Sequence, residues 1–364
     1  MKILQISSAQ AFGGGERHLA DLSNELVRRG HDVYAVLRPR SPLLSRLTQL
    51  AQDHIKIMPL SNALDVKSAN SLAGFVKQKQ IQIVHAHMAR DYSIAAYAAR
   101  RNQATRLIVT RHVLFKLNRL HRATLARAAR VIAVSEAVAR ELRTQDLLPP
   151  SRISVVHNGV DVEALAGALT TREEVRRKLN VNERSLLVGT IGQLNPNKGH
   201  EDLVRAMAQI VKSVPLVDLV IAGADPSSNS ATATSLKRLS TDLGLENRVR
   251  FLGEIENSIS LLPAFDVFVS ASHTESFGLA MVEAMACGLP LVATSTDGAN
   301  EVIAENQTGF IVPIGDHEAL AASIITLAND AQLRVKMGRS GQLRARECFG
   351  LKRMVDAIEE IYSA

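Results

Sequence analysis

Ser270–Pro290 reads SASHTESFGLAMVEAMACGLP, and the two runs that bracket it decide the fold. Val267–Ser270 (VFVS) and Leu289–Thr294 (LPLVAT) are short, bulky and apolar, the pattern of strands buried on both faces of a parallel sheet. Between them, Leu279–Cys287 is apolar at every position but Glu283 and long enough for a helix. A carboxylate on a buried helix is costly unless something polar meets it, so Glu283 is expected to face a polar ligand. Glu275 sits eight residues earlier, in the loop that leaves the first strand. The helix is expected to start at Phe277–Gly278, and the N–H groups of its first turn, at Phe277, Gly278 and Leu279, would then attract an anion, phosphate above all. Carboxylates on either side of a phosphate-seeking turn suggest a ligand with hydroxyls at both ends, such as a sugar nucleotide. The plainer alternative is a surface hydrogen bond for Glu275 and a neighbouring cation for Glu283.

At 364 residues the chain is long enough for two domains. Its 46% hydrophobic and 22% charged residues are ordinary for a globular protein. Cys287 and Cys348 are too few for a disulfide framework and lack metal-ligand spacing, which points to a reducing compartment. MKILQISS runs directly into a strand without the apolar core of a signal peptide, and no run approaches the ~20 apolar residues of a membrane span. The expected location is cytoplasmic, with peripheral contact at the inner membrane face. The net charge of +7 is unevenly held. Residues 1–170 carry 24 Lys and Arg against 12 Asp and Glu, and the remainder 19 against 24. A basic half implies a phosphorylated substrate, an anionic membrane surface or nucleic acid.

In that half, Lys2–Ser8 is a strand, Ala11–His18 (AFGGGERH) a glycine-rich turn, His18–Arg29 a helix and His31–Leu37 the next strand. Gly13 and Gly14 thus stand where such sheets bind ligands, or simply make a tight turn. The turn is not G-x-G-x-x-G, so a dinucleotide oxidoreductase loses its best support. Strands Ile81–His87 and Leu107–His112 end in His85, His87 and His112, a zinc possibility without the spacing to assign a ligand set. Residues 100–130 hold nine Arg or Lys and no acid. Within them Lys116–Arg130 reads as a helix with Leu117, Leu120, Thr124, Leu125 and Ala128 on one face, suited to anionic lipid or to plain solvation. With no tryptophan, base stacking is poorly provided for and no nucleic-acid partner is expected. Val131–Ser135 and Ile153–Asp161 are further strands, and Asn158–Gly159 reads as turn chemistry.

The polar stretch 166–184 reads as an interdomain linker. A second series of strands follows at Leu186–Gly192, Leu216–Gly223 and Val249–Gly253. GQLNPNKGHEDLVRAM (Gly192–Met207) places Lys198 between a strand end and a helix, well sited as a point charge for phosphate. Asp225–Ser235 (DPSSNSATATS) reads as a mobile loop, and Leu351–Tyr362 as a final helix.

Glu275 and Glu283 form an E-x7-E motif within ESFG…VEAMA…G.P, and in this the chain resembles the family 4 (group 1) retaining glycosyltransferases. VSEAVARELR…ISVVHNGVD resembles the same family. The resemblance implies an α/β, GT-B fold, with two Rossmann-like parallel-sheet domains facing a central cleft. It divides the chain into an acceptor-side domain (1–165), the linker (166–184), a nucleotide-sugar domain (185–345) and a C-terminal helix crossing back to the first domain (346–364). It implies transfer of a hexose from a nucleotide-diphosphate donor, UDP-sugar favoured, to an envelope glycan or lipid-linked acceptor. His112, Lys198 and Glu275 would serve catalysis. The donor would meet Gly13, Gly14, Gln193, Lys198, Glu254, Ile255, Glu275, Phe277, Gly278, Leu279 and Glu283. Gln193 stands where the family usually has arginine, which removes one permanent charge. No Asp-x-Asp pair is present to hold a divalent ion, so no cofactor or metal is expected. A nucleotide-sugar epimerase of the same architecture would not need the E-x7-E helix. A nucleic-acid-binding protein would use the basic half, with steep salt dependence.

Overall fold

The computed structural model describes residues 1–118, 121–167 and 171–364. They form two compact units, Met1–Gly159 with Leu351–Ala364, and Val160–Gly350.

The first unit is built on β1 (Lys2–Ser7), β2 (Asp32–Leu37), β3 (Ile55–Ile57), β4 (Ile83–Ala86), β5 (Arg106–Arg111), β6 (Arg130–Ala133) and β7 (Ile153–Val155). All pair in parallel, in the order β3-β2-β1-β4-β5-β6-β7. The order reverses between β1 and β4, and the crevice beyond their C-terminal ends is where such a sheet takes a ligand. Ile3, Val33, Ile83, Ile108 and Ile132 of the strands share one core with Met354, Val355, Ile358 and Tyr362 of the helix Leu351–Ser363. Burying each of those four side chains stabilises by roughly 1.5–3 kcal/mol. Arg29 reinforces the docking through Asp356 Oδ1 at 2.7 Å, and the Arg106 guanidinium donates to the Tyr362 carbonyl at 2.7 Å.

The second unit repeats the plan with β8 (Leu186–Ile191), β9 (Val217–Ala222), β10 (Val249–Gly253), β11 (Val267–Ser270), β12 (Leu291–Thr294) and β13 (Gly309–Val312). Again all are parallel, in the order β10-β9-β8-β11-β12-β13, and the switch point lies between β8 and β11. Its core joins Val188, Leu219, Ile221, Val267, Val269 and Val292 to the helices His200–Ser213 and His317–Asn329.

Five expectations need correction. The expected linker 166–184 belongs to the second unit as far as it is described. In the helix Arg172–Lys178, Arg176 is buried and meets Asp266 Oδ2 at 2.5 Å, while Arg172 meets Oδ1 at 2.5 Å. The first helix spans Gly14–Arg28, so Gly14 lies in its first turn and Gly13 caps it. Of the expected helix Lys116–Arg130, only His121–Leu125 is helical among the described residues, and Arg130 opens β6; Arg119 and Leu120 lie outside the described residues. Leu125 and Ala128 are buried, so the leucine spacing reflects packing onto the first unit. Asp225–Ser235 is structured, since the Asp225 carboxylate accepts from Ser227 N at 2.8 Å and Ala233 N at 2.7 Å ahead of the helix Ala231–Asp242. Of the C-terminal stretch 346–364, residues 346–349 end the helix Ala331–Phe349 of the second unit, and after an extended Gly350 the expected final helix, Leu351–Ser363, belongs to the first. No helix of the described residues is long and apolar enough to cross a membrane.

Candidate functional site

In the second unit, several of the expected site residues gather at the switch point. After β8 the chain turns through Gly192 and Gln193 to Lys198, whose stem lies over Gly192. Gly199 then takes φ +60, with its Cα so close to the next strand end that a Cβ would sit 1.9 Å from the Ala271 carbonyl oxygen. Only glycine fits there, and the approach carries Lys198 against the loop after β11. Its Nζ donates to Glu275 Oε2 at 2.5 Å, with the two side chains 29% and 18% exposed. The sheet reversal thus brings together the lysine and the first carboxylate of the motif, 77 positions apart.

The loop carrying Glu275 is fixed on several sides. His273 N donates to the Asn197 carbonyl at 2.7 Å, and its ring meets Asp202 at 2.6 Å. Gly298 N donates to the Glu275 carbonyl at 3.0 Å, and a Cβ on Gly298 would fall 2.7 Å from the main chain of Phe277. The helix spans Leu279–Ala286 behind Gly278 at φ +97. Met281 N donates to the Gly278 carbonyl at 2.9 Å, and the dipole at this helix start favours an anion. The Phe277 ring is buried against Phe349, 5.6 Å centroid to centroid. Glu283 is buried on this helix. Burial and the Glu283 charge one turn away push the Cys287 thiol up to about 12, which makes it inert. The Gln193 carbonyl accepts from His200 Nε2 at 3.2 Å; burial draws that imidazole down to about 4, neutral at pH 7. Exposed Glu254 and half-buried Ile255 follow β10, two strands from the switch point.

The first unit assembles a histidine cluster beyond β1, β4 and β5. His85 and His87 are buried; His112 is half-buried with its Nδ1 shut off from solvent. Burial, and then the neighbouring imidazoles, draw all three well below the usual histidine range, so the cluster is neutral at pH 7. Gly15 lies against the His112 ring, where a Cβ would be 3.3 Å away. Gly13 abuts the Glu16 carboxylate, whose pKa burial raises. Gly14 is exposed in the first helical turn.

Several residues here carried no sequence signal. His18 is 1% exposed beside His112, ring centroids 4.9 Å apart, and burial draws its imidazole down to about 4. Asn158, expected as turn chemistry, is buried. Asp91 accepts from Ser8 N at 2.8 Å, and burial raises its carboxyl to about 6. Among the described residues, the set with ligand atoms within 4.8 Å of one another is His18, His87 and His112; His85, one of the three strand-end histidines that raised a zinc possibility in the sequence, is not in it. Both His85 nitrogens are occupied, by Tyr362 Oη at 2.6 Å and Thr110 Oγ1 at 2.7 Å.

Two family models match, Glycosyltransferase Family 4 over residues 12–164 and Glycosyl transferases group 1 over 171–344. The N-acetyl-alpha-D-glucosaminyl L-malate synthase of Bacillus anthracis is 27% identical over 98% of this chain and 95% of its own length. The D-inositol 3-phosphate glycosyltransferase of Corynebacterium efficiens is 28% identical over 96% and 90%. Among solved structures, HepE of Anabaena in complex with UDP and glucose superposes with a TM-score of 0.86 at 26% identity, covering 100% of both chains. With both units matched by glycosyltransferase models and each built on a switch-point parallel sheet, the chain belongs to the family 4, group 1 glycosyltransferases of the GT-B fold.

Proposed function

We propose that the protein is a retaining hexosyltransferase that uses a nucleotide-diphosphate sugar, a UDP-sugar in the first instance, and needs no metal. The observation that carries this reading is the Lys198–Glu275 contact at the β8/β11 switch point, beside the N-terminus of Leu279–Ala286. A cation and a carboxylate close to a helix N-terminus support the reading of a departing diphosphate met by Lys198 and sugar hydroxyls met by Glu275. Glu283 is assigned to the ribose, and the backbone after β10 at Glu254 and Ile255 to the base. Preorganised donors of this kind act where charge develops, and losing one typically costs ~2.7–4 kcal/mol of barrier. With Gln193 uncharged, Lys198 bears more of that load. The leaving phosphate is assigned the acceptor's proton. Neutral His112 is assigned the support of positive charge at the anomeric carbon, which an uncharged imidazole does not oppose. HepE, solved with UDP and glucose, supports the choice of donor.

For the acceptor, the basic first half favours a phosphorylated or lipid-linked envelope glycan met at an anionic surface. A small anionic acceptor is the second reading, favoured by relatives whose names carry L-malate and D-inositol 3-phosphate. Calorimetric titration with UDP, GDP and ADP and their hexose conjugates, first with chelator and then with magnesium, tests the donor. Metal-independent binding of one diphosphate, lost in Lys198→Ala and weakened in Glu283→Ala, is expected. Binding of none, or only with magnesium, would overturn the reading. Sedimentation with anionic vesicles, against turnover with malate or inositol 3-phosphate, separates the two acceptors.

A further inference from the structure

A continuous hydrogen-bond chain runs through the buried centre of the first unit. It begins on the C-terminal helix at Tyr362, 2% exposed, whose Oη lies 2.6 Å from His85 Nδ1 and 3.4 Å from Gln5 Nε2. Gln5 is fully buried on β1, and its Oε1 lies 2.8 Å from His87 Nε2. His87 Nδ1 in turn lies 3.3 Å from His112 Nε2. Every link must have one donor and one acceptor, so the chain as a whole can run in only two directions. In one, His112 holds its proton on Nε2 and donates to His87, which donates to Gln5 Oε1, while Gln5 Nε2 donates to Tyr362. In the other the amide and both imidazoles are reversed, and the proton of His112 sits on Nδ1.

His112 Nδ1 decides between them, because it is buried and has no partner. Orphaned buried N–H groups are rarer than under-satisfied acceptors, and an N–H at Nδ1 would be left with its full desolvation cost. We propose that Gln5, His87 and Tyr362 are positioning residues that hold His112 as its neutral Nε2–H tautomer, with the C-terminal helix as the root of the chain. The proposal rests on the reading that His112 serves the reacting sugar. There an imidazolium would repel a positive anomeric carbon. The chain opposes that state, since a second proton could go only to Nδ1, where nothing receives it.

The test uses the full chain with 15N-labelled histidine and long-range 1H–15N correlation spectra at pH 7.5, which report the tautomer of each imidazole with no substrate present. Wild type should show His87 and His112 each as a single Nε2–H form. Gln5→Met, which removes the acceptor, should give both rings a several-fold larger Nδ1–H fraction. Tyr362→Phe keeps the buried ring, frees the Gln5 amide to turn over and should shift His112 in the same direction; it serves also if Gln5→Met fails to fold. A wild-type His112 protonated on Nδ1, or tautomers unmoved in the folded variants, overturns the proposal. Turnover of UDP-glucose by His112→Asn is measured separately. Full activity there refutes the role of His112 on which the proposal rests, whereas lost activity with unmoved tautomers refutes the chain alone.

Discussion

Replacing Glu275 by glutamine should tighten the binding of a bare nucleoside diphosphate while nearly abolishing transfer. In the free protein Lys198 already has an anion, the Glu275 carboxylate at 2.5 Å. A diphosphate gains the lysine only by displacing that carboxylate, and then lies near a like charge. A charge-assisted hydrogen bond is worth about 1.5–3 kcal/mol. With the side chains 29% and 18% exposed, screening lowers the expected value to about 1–2 kcal/mol. Glutamine keeps the shape and removes the competing charge. Calorimetry with the preferred diphosphate should therefore show roughly 5–30-fold tighter binding in Glu275→Gln, a gap that narrows in high salt. Transfer should fall about 100-fold or more, because the charged partner of the sugar hydroxyls is gone. Diphosphate affinity that is unchanged or weaker in Glu275→Gln would refute the argument that lysine and carboxylate are each other's partners until the donor arrives.

Other expectations concern the scaffold. Asp266→Asn takes from the buried Arg176 guanidinium its carboxylate partner and should cost about 3–5 kcal/mol, read as a lower melting temperature. Ile358→Ala, on the fully buried face of the C-terminal helix, should cost about 2–5 kcal/mol in denaturant unfolding. On acidification, His200 is neutral in the fold down to about 4 but charges near the ordinary histidine value of 6.5 when unfolded. Its contribution is full above pH 6.5 and is lost as pH falls towards 4, about 3 kcal/mol in all. Asp91, raised from 3.8 to about 6, contributes in the opposite sense, fully below pH 3.8 and no longer above about 6. Stability measured from pH 4 to 6.5 should therefore rise less steeply in His200→Gln and more steeply in Asp91→Asn.

What could be read from the sequence follows from how far each signal reaches along the chain. Buried parallel strands are continuous apolar runs, so Val267–Ser270 and Val249–Gly253 match the observed strands residue for residue. Composition was a poorer guide where a single side chain organises its surroundings. Asp225 turns a serine-rich stretch into the start of a helix by accepting two backbone N–H groups, and no average over Asp225–Ser235 contains that information. The basic stretch 116–130 failed for the opposite reason. Leu117, Leu125 and Ala128 do share burial, but they reach it from a loop, a five-residue helix and the approach to β6, so a spacing that fits one helix arises without one.

The histidines show where the limit lies. His85, His87 and His112 look alike in sequence, each at or just beyond the end of a buried strand, and alternation along a strand cannot tell which nitrogen finds which partner. Their difference is made by Tyr362, 277 positions from His85, which takes one His85 nitrogen and, through Gln5, supports His87. His18 enters the cluster because Gly15, one turn before it, lets the first helix lie against the His112 ring. A motif marks residues that meet a ligand; the buried partners that set the protonation of those residues are scattered through the chain. Those partners become legible only once the sheet has placed β1, β4 and β5 side by side and the C-terminal helix has closed over them.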